Sequence, residues 1–373
     1  MVNINPSTNV PNTFNYVDLN SVKGVSLIKV KKINKKEAPS RAQRVAKNGD
    51  IFYQMVRPYQ KNNYLFNKPK TSFPYVFSTG YAQLRSIKTS PSYIFPLLQK
   101  SDFVNKVLAH STGTSYPAIN SRDLGQIKIY LPNELVEQNK IGEIFQKINK
   151  IIELQQRKNC LTKKIVSALS KQLTNPQFII KCQNTQVPKK HNVLLKEIIN
   201  YKNGKSHEKN QKNTGQFELV NLNSISKSGK LKTSGKYVND TEECLKKGDI
   251  VMILSDIARG QLIGLTAVIP KDKYYVLNQR IALLHPIKKL NSVFLSSYLN
   301  NQQQYFKRVA AGMSQINISK KDVENFKLRI PDLSTQNFFG TIINQLNNFI
   351  DNNQNKSKQL IVFKEFLLQN MFI

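Results

Sequence analysis

The stretch AHSTGTSYPAINSRDLGQIKIYLP (residues 109–132) decides how this chain is built, because it returns as AAGMSQINISKKDVENFKLRIP (residues 310–331). Gly113 falls on Gly312, Ser115 on Ser314, Ile119 on Ile318, Asp123 on Asp322, Lys128 on Lys327 and Pro132 on Pro331, every pair 199 residues apart. Self-similarity at a fixed offset marks a repeated architecture without reference to any other protein. Working outward, GDI at 49–51 meets GDI at 248–250, and FNYVDLNSV (14–22) resembles FELVNLNSI (217–225). After the prolines, EQNKIGEIFQKIN (137–149) falls on TQNFFGTIINQLN (335–347), 198 residues on. These colinear blocks predict a domain over 1–132, a helix over 133–175, a second domain over 176–331 with a linker at 176–190, and a second helix over 332–373.

Within each domain, GDI precedes short apolar runs, in the second half Val251–Leu254, Leu262–Ile269 and Ile281–Leu284, which read as strands punctuated by Gly, Asn and Asp. Each domain is expected to be mainly β with a few helices, such as the one carrying Phe294, Leu295, Tyr298 and Leu299. The segments after the prolines read differently. Ile141, Ile144, Ile148 and Ile151, then Gln155 and Lys158, then Ile165 and Leu169 step by threes and fours. Phe339, Ile342, Leu346, Phe349, Asn353, Lys356, Leu360, Phe363 and Leu367 do the same in the second, the spacing of a coiled-coil seam. Both seams turn polar at matching positions. The two helices are expected to pair with each other as an antiparallel coiled coil; the alternative is that each packs on its own domain. The fold class is α+β.

Composition limits the partner. Lys and Arg number 56 against 23 Asp and Glu, a net charge of +33, which would repel itself unless a polyanion or acidic partner offset it. A Lys-rich genomic bias would raise Lys but gives no reason for so few carboxylates. Cys160, Cys182 and Cys244 are odd in number and scattered, neither a disulfide framework nor a zinc spacing, which fits a reducing cytoplasm. No stretch approaches the ~18 uninterrupted apolar residues of a membrane span, so a soluble protein is expected.

Catalytic constellations are not found. No GxxxxGK[ST] phosphate loop occurs. Asn175, Pro176, Gln177 and Phe178 come nearest to an adenine-methyltransferase tetrapeptide but lack its second proline, and Pro176 reads as a helix stop. His110, His191, His207 and His285 are far apart, and the adjacent Glu242 and Glu243 would point to opposite faces of a strand. Neither a metal site nor a cofactor is expected. A basic, two-domain, non-catalytic chain points to binding.

At this point a family resemblance enters. The runs SVKGVSLIKVKKINKKEAPSRAQRVAKNGDIFYQMVRPYQKNNYLF (21–66), STGYAQLR (78–85) and STGTSYPAINSRDLGQIKIYLP (111–132) resemble one half of the specificity subunit of a type I restriction-modification system. KKGDIV (246–251), AAGMSQINIS (310–319) and the closing helix resemble the other half. The resemblance implies two target-recognition domains that each read a few base pairs of double-stranded DNA, and two helices that act as a ruler between them. It also implies two methylation subunits carrying the adenine chemistry, often joined by two motor-nuclease (restriction) subunits, and no membrane partner. One departure stands at the front: LLKEIINYKNGKSHEKNQKNTGQ (194–216) precedes the second domain, against a dozen residues before Phe14, which puts assembly competence in question.

Base reading needs side chains that reach groove edges, while Lys and backbone amides fix register on phosphates. Polar loops between strands supply the candidates: Ser40, Arg41, Gln43 and Arg44, then Arg57, Tyr59, Lys61 and Asn62 in the first domain. The second offers Lys205, Ser206 and Lys209, then Ser255, Asp256, Arg259 and Gln261. Arg44 pairing with Asp50, or Arg57 closing a turn at Pro58, would remove either from the set. The loops 112–115 and 312–314 occur in both halves and so cannot distinguish two half-sites. Three alternatives stay open: a specificity subunit serving a fused methyltransferase-nuclease, a DNA-modifying enzyme with an unfamiliar site, and a coiled-coil scaffold whose basicity is only compositional.

Overall fold

The computed structural model describes residues 1–67, 73–175, 193–240, 243–257, 260–287, 290–312 and 315–372. The chain divides into two compact units, one of Met1–Asn159 with Asn353–Ile373 and one of Cys160–Asn352. Each unit therefore takes a domain together with part of both long helices.

In the first unit, one antiparallel sheet has the order Val2–Ile4, Tyr81–Arg85, Ile51–Gln54, Tyr64–Leu65. A second sheet has the order Lys31–Asn34, Thr13–Val17, Tyr75–Ser78, Ala42–Val45, in which Thr13–Val17 and Tyr75–Ser78 run parallel. Phe52, Phe77 and Tyr81 fill the space beside these strands, with Phe52 and Phe77 stacked 3.6 Å apart. Helices Pro91–Leu97, Ser101–Ala109 and Ser121–Gln126 cover the other face through Ile94, Leu98, Phe103, Val107 and Leu124.

The second unit repeats the plan. Its sheet runs Ile199–Asn203, Ile281–Pro286, Ile250–Ile253, Thr266–Val268, and a smaller sheet again holds a parallel pair, Phe217–Val220 with Tyr275–Leu277. Helices Ser292–Asn301, Gln303–Val309 and Lys320–Glu324 seal its core with Phe294, Leu295, Leu299, Phe306 and Val323.

The GDI repeat is a turn with a fixed backbone. Gly49 (φ 84°) and Gly248 (φ 89°) adopt the left-handed conformation that glycine tolerates. The next carboxylate then accepts the amide three residues back, Lys47 N to Asp50 Oδ2 and Lys246 N to Asp249 Oδ2, both at 2.8 Å. Asp50 also receives Arg85 Nε and Nη2 and Gln83 Nε2, each at 2.7 Å, whereas Asp249 meets His285 Nδ1 at 2.6 Å. Arg85, and not Arg44, is the partner of Asp50. The hydrogen bond to Asp50 holds the Arg85 pKa above its ordinary value.

Each helix is joined to its domain in the same way. Gln138 Nε2 donates to Pro132 O at 2.8 Å and its Oε1 accepts Ser90 N at 2.9 Å; Gln336 repeats this with Pro331 O and Asn291 N. One turn later, a Cβ on Gly142 would lie 2.6 Å from the Ser92 backbone carbon, and one on Gly340 would lie 2.4 Å from Asn291 Oδ1. Glycine at both positions lets the helix approach its domain.

The long helices are Leu135–Leu173 and Leu333–Asn370. They pair antiparallel in the first unit: Phe145 meets Phe372 at 5.3 Å, while further along Gln155 Nε2 reaches Asn353 Oδ1 at 3.4 Å and Asn159 Nδ2 reaches Ser357 Oγ at 2.8 Å. The first turns also pack on their own domains, Ile141 and Phe145 in one and Phe339 in the other. The expected antiparallel pairing therefore holds, and over the first turns the alternative packing on each helix's own domain holds beside it.

The seam itself needs correction. Ile144 (39% exposed), Ile151 (50%) and Phe349 (49%) point outward, and the buried line runs through Phe145, Ile148, Thr162 and Val166 in the first helix and Phe339, Ile343 and Asn353 in the second. Ile141, Ile342 and Leu346 are half-buried. Lys158 and Lys356 are exposed, and the polar layer is made with Asn159 and Ser357 in their place. Apolar residues on two adjacent helical faces made both lines fit the same spacing.

Candidate nucleic-acid interface

The first-domain loop 57–62 is rigid by construction. Gln54, buried at the end of its strand, donates Nε2 to Val56 O at 2.7 Å and to Gln60 Oε1 at 3.0 Å, and its Oε1 accepts Asn62 N. Asn62 Oδ1 accepts Gly24 N at 2.8 Å. Arg57 (φ 55°) caps a 3-10 turn over Pro58–Gln60, and its guanidinium lies 4.2 Å from the Tyr116 ring centroid. Lys61 (φ 54°) donates Nζ to Ser101 Oγ at 3.2 Å, and Tyr59 is exposed. Two non-glycine residues at positive φ within five positions signal strain of the kind that marks constrained sites.

Ser40 and Arg41 are exposed and Gln43 is half-buried at and beside the strand Ala42–Val45. Arg41 O accepts Thr79 N at 2.8 Å and Gly80 O accepts Met55 N at 3.0 Å, so both candidate loops abut one turn. Arg44 differs from its neighbours. It is buried in the strand, its Nη1 donates to Ile4 O, and burial lowers its pKa, so it braces the sheet and leaves the surface set.

In the second domain, Lys205 and Ser206 line a groove of about 480 Å³ with Lys202, His207 and Asn210, while Asp240 and Glu243 form its acidic side. Lys202 and Glu243 are ion-paired. Gly204 allows this backbone to approach Asn278, whose carbonyl oxygen would lie 2.0 Å from an added Cβ. Lys209 is exposed on the following turn. Ser255 and Asp256 are not loop residues: they sit in a strand paired with Gln315–Asn317, buried, with Ser255 Oγ on Asn317 Oδ1 at 2.6 Å and Asp256 Oδ2 accepting Leu262 N at 2.8 Å. Gln261 is exposed and holds Lys227 Nζ at 3.0 Å. Arg259 lies outside the described residues, as do Cys182, His191, Glu242, Ser314 and the Pro176–Phe178 part of the tetrapeptide.

The repeated loops form a common frame. Thr112 pairs with Ala118 and Ala311 with Asn317, and Ile119 N to Met55 O (3.1 Å) matches Ile318 N to Leu254 O (2.9 Å). On this frame the side chains differ. Arg57 stands where the second domain has Asp256, and Tyr116 where it has Gln315, each pair 199 residues apart. Tyr116, exposed against Arg57, directly follows the loop 112–115 common to both halves and is absent from the sequence-derived candidates, although the repeat places it opposite a glutamine.

The pair of buried Asp249 and partly exposed His285 invites a catalytic reading. The first domain answers it, since Asp50 and Arg85 occupy the same place with a group that cannot exchange protons near neutrality. The pair is structural. Among the described residues no cluster of three or more His, Cys, Asp or Glu could hold a metal, and no helix is long and apolar enough to cross a membrane.

This doubled frame has known counterparts. The family model for the type I restriction modification DNA specificity domain matches residues 5–163 and again 188–361, and the chain belongs to that family. It is similar to the type I restriction enzyme HindI specificity subunit of Haemophilus influenzae, 28% identical over 142 residues, which is 37% of this chain and 30% of that protein. The match thus spans under a third of that relative. Among solved structures, the type I restriction-modification system S subunit from M. genitalium superposes with a TM-score of 0.63 at 18% identity, covering 96% of this chain and 88% of the other. A chain from a study of complex assembly and conformational transition of the type I R-M system gives 0.60 at 20%, covering 98% and 91%. Both show the fold. Family membership identifies both matched segments as specificity domains of the type I restriction modification kind.

Proposed function

We propose that this chain is the sequence-specific DNA-binding specificity subunit of a type I restriction-modification complex, with residues 1–132 and 176–331 as two readers of a bipartite target. The observation that carries this reading is one backbone frame built twice with unlike side chains, Tyr116 packed on Arg57 in the first domain and Gln315 beside a buried Asp256 in the second. Ser40, Arg41, Gln43, Arg57, Tyr59, Lys61, Asn62 and Tyr116 then form the first reading surface, and Lys205, Ser206, Lys209 and Gln261 belong to the second. The charge of +33 supplies the phosphate attraction.

Two methylation subunits dock on the long helices, whose second apolar face is exposed at Ile144, Ile151, Leu154, Leu161 and Ile165 in one and Phe349, Val362, Phe363 and Phe366 in the other. Restriction subunits join that assembly, in the cytoplasm where the DNA lies. Exchanging residues 1–132 for those of a relative with another target, followed by methylation mapping, tests the reading. One half-site changes and the other stays; a change in both, or in neither, overturns it. The isolated chain transfers no labelled methyl group from S-adenosylmethionine to DNA.

A further inference from the structure

Residues 1–132 hold five arginines, and they are placed very differently. Arg44 is buried on Ile4 O, Arg85 is ion-paired with Asp50, and Arg41 and Arg122 are exposed with no ring or carboxylate beside them among the described residues. Arg57 alone lies on an aromatic face, its guanidinium carbon 4.2 Å from the Tyr116 ring centroid. Among the described residues no hydrogen bond or ion pair engages the nitrogens of that guanidinium. Tyr116 is 63% exposed, so the stack stands at the surface with its donors open to a ligand.

The backbone fixes both partners of the stack. Val56 and Thr112 each bridge Ala118, and Arg57 N donates to Pro117 O at 2.7 Å, which sets residues 57 and 116 side by side. Behind Arg57, Gln60 N donates to Arg57 O at 3.0 Å, and the buried Gln54 donates Nε2 to Val56 O and Gln60 Oε1. Arg57 itself is held at a φ of 55°, which side chains other than glycine rarely adopt. A phosphate asks only for positive charge, which a flexible lysine supplies, and gives no reason to hold a guanidinium in one plane on a constrained backbone. An oriented fork of donors instead matches two coplanar acceptors. In the DNA major groove, guanine offers that pair, O6 and N7, whereas adenine adds a donor, thymine a methyl group, and cytosine a donor alone.

The second domain has no counterpart. Asp256, 199 residues after Arg57, is buried and accepts Leu262 N at 2.8 Å, and Gln315, 199 residues after Tyr116, donates Nε2 to Asn317 Oδ1 at 3.1 Å. We propose that Arg57, held flat by Tyr116, reads a guanine in the major groove and so fixes one G·C pair of the half-site recognised by residues 1–132, with no equivalent reader at the matching place of the second domain. Arg57 is the specificity-determining residue, and Tyr116 is a positioning residue that acts through it. The inference rests on the DNA-specificity reading above and narrows it from a surface to one side chain and one base.

The test incubates a library of randomised DNA duplexes with the full chain, purified together with its companion subunits, and sequences what is retained. Arg57→Lys keeps the charge and loses the fork, while Arg57→Gly removes the side chain and suits the positive φ, so the fold is kept without strain. The native chain is expected to enrich a bipartite sequence with an invariant G·C pair in one half-site. Both Arg57 variants should lower the preference for that pair by roughly tenfold to a hundredfold and leave every other position of both half-sites as it was. Tyr116→Phe keeps the ring and the preference. Tyr116→Ala should weaken the preference at the same pair and nowhere else, a confinement that general loss of structure would not produce; an unchanged preference there overturns the positioning role. Recovery of the native sequence by Arg57→Lys, a loss at a pair other than G·C, or a uniform fall in affinity with the sequence kept, the mark of a phosphate contact, overturns the assignment and leaves the DNA reading standing. A native chain that enriches no sequence overturns the DNA reading and this inference with it.

Discussion

At the scale of single residues, the repeat isolates what each group contributes, because the same place is often filled twice with different chemistry. Asp50 is fully buried and satisfies Arg85, Gln83 and the Lys47 amide, while Asp249 satisfies an imidazole and the Lys246 amide. Removing Asp50 takes the acceptor from Arg85 Nε and Nη2 and from Gln83 Nε2, whereas removing Asp249 takes it from His285 Nδ1 alone among side chains. Asp50→Ala is expected to cost about 3 kcal/mol and Asp249→Ala clearly less, read from chemical denaturation at neutral pH; equal losses would show that the number of side-chain partners lost is immaterial. Lys364 stands where the first helix has Val166, 198 residues earlier. Burial lowers its pKa, the Glu365 carboxylate opposes that, and Lys61 adds to it. With the folded pKa below the unfolded value, the fold disfavours the charged amine, fully at pH values under the folded pKa and not at all above about 10.4. Lys364→Met should therefore raise the melting temperature by a few degrees at pH 7, about 1 kcal/mol, and the gain should fade as pH approaches 10.5.

At the scale of elements, the long helices show how far a spacing can be read. Their existence, length and polar middle were legible in the sequence, because threes and fours sustained over many turns have no other explanation. Which face is the seam was not. Ile144 and Phe145, or Ile151 and Ile152, are adjacent apolar residues, and only packing chooses between lines that differ by one position. The polar layer of Gln155, Asn159, Asn353 and Ser357 carries the register information that an apolar seam would lack, at a cost in stability. Replacing Gln155 and Asn353 together by Leu is expected to stabilise the chain by about 1 to 3 kcal/mol and to loosen its register. Thermal melts would show the first effect. Cysteine cross-linking between Lys158→Cys and positions flanking Ser357 would show the second as more than one product where the native layer gives one, and a single product from the Leu variant would remove the register role. The base-reading candidates were legible only as loops, since burial of Arg44, Ser255 and Asp256 depends on strand pairing that no local pattern announced.

At the scale of the whole molecule, the order domain, helix, domain, helix followed from three blocks of self-similarity, but the membership of the units did not, because it depends on where the second helix ends. Leu368 and Phe372 belong to the core beside Ile94 and Phe103, and Lys100 Nζ donates to Phe372 O at 3.0 Å. In the other unit Asn301 Nδ2 donates to Thr174 Oγ1 at 2.7 Å, at the end of the first helix. Each helix is thus anchored at both ends, by its own domain's proline and glutamine at the start and by a side-chain contact in the other unit's core or helix at the finish. If the pair serves as a ruler, both helices must lengthen together. One heptad inserted after Ile152 and one after Ile350, positions 198 residues apart, keeps each buried line in phase and adds about 10 Å. At ~3.4 Å per base pair the unread spacer should grow by about 3 base pairs, with both half-site sequences unchanged. A heptad in only one helix should instead pull an anchor apart and lower the melting temperature, which a ruler made of independent helices would not do. Methylation mapping of the double insertion, expressed with its companion subunits, reads the outcome, and an active variant that keeps its original spacer would remove the helices from the measurement of distance.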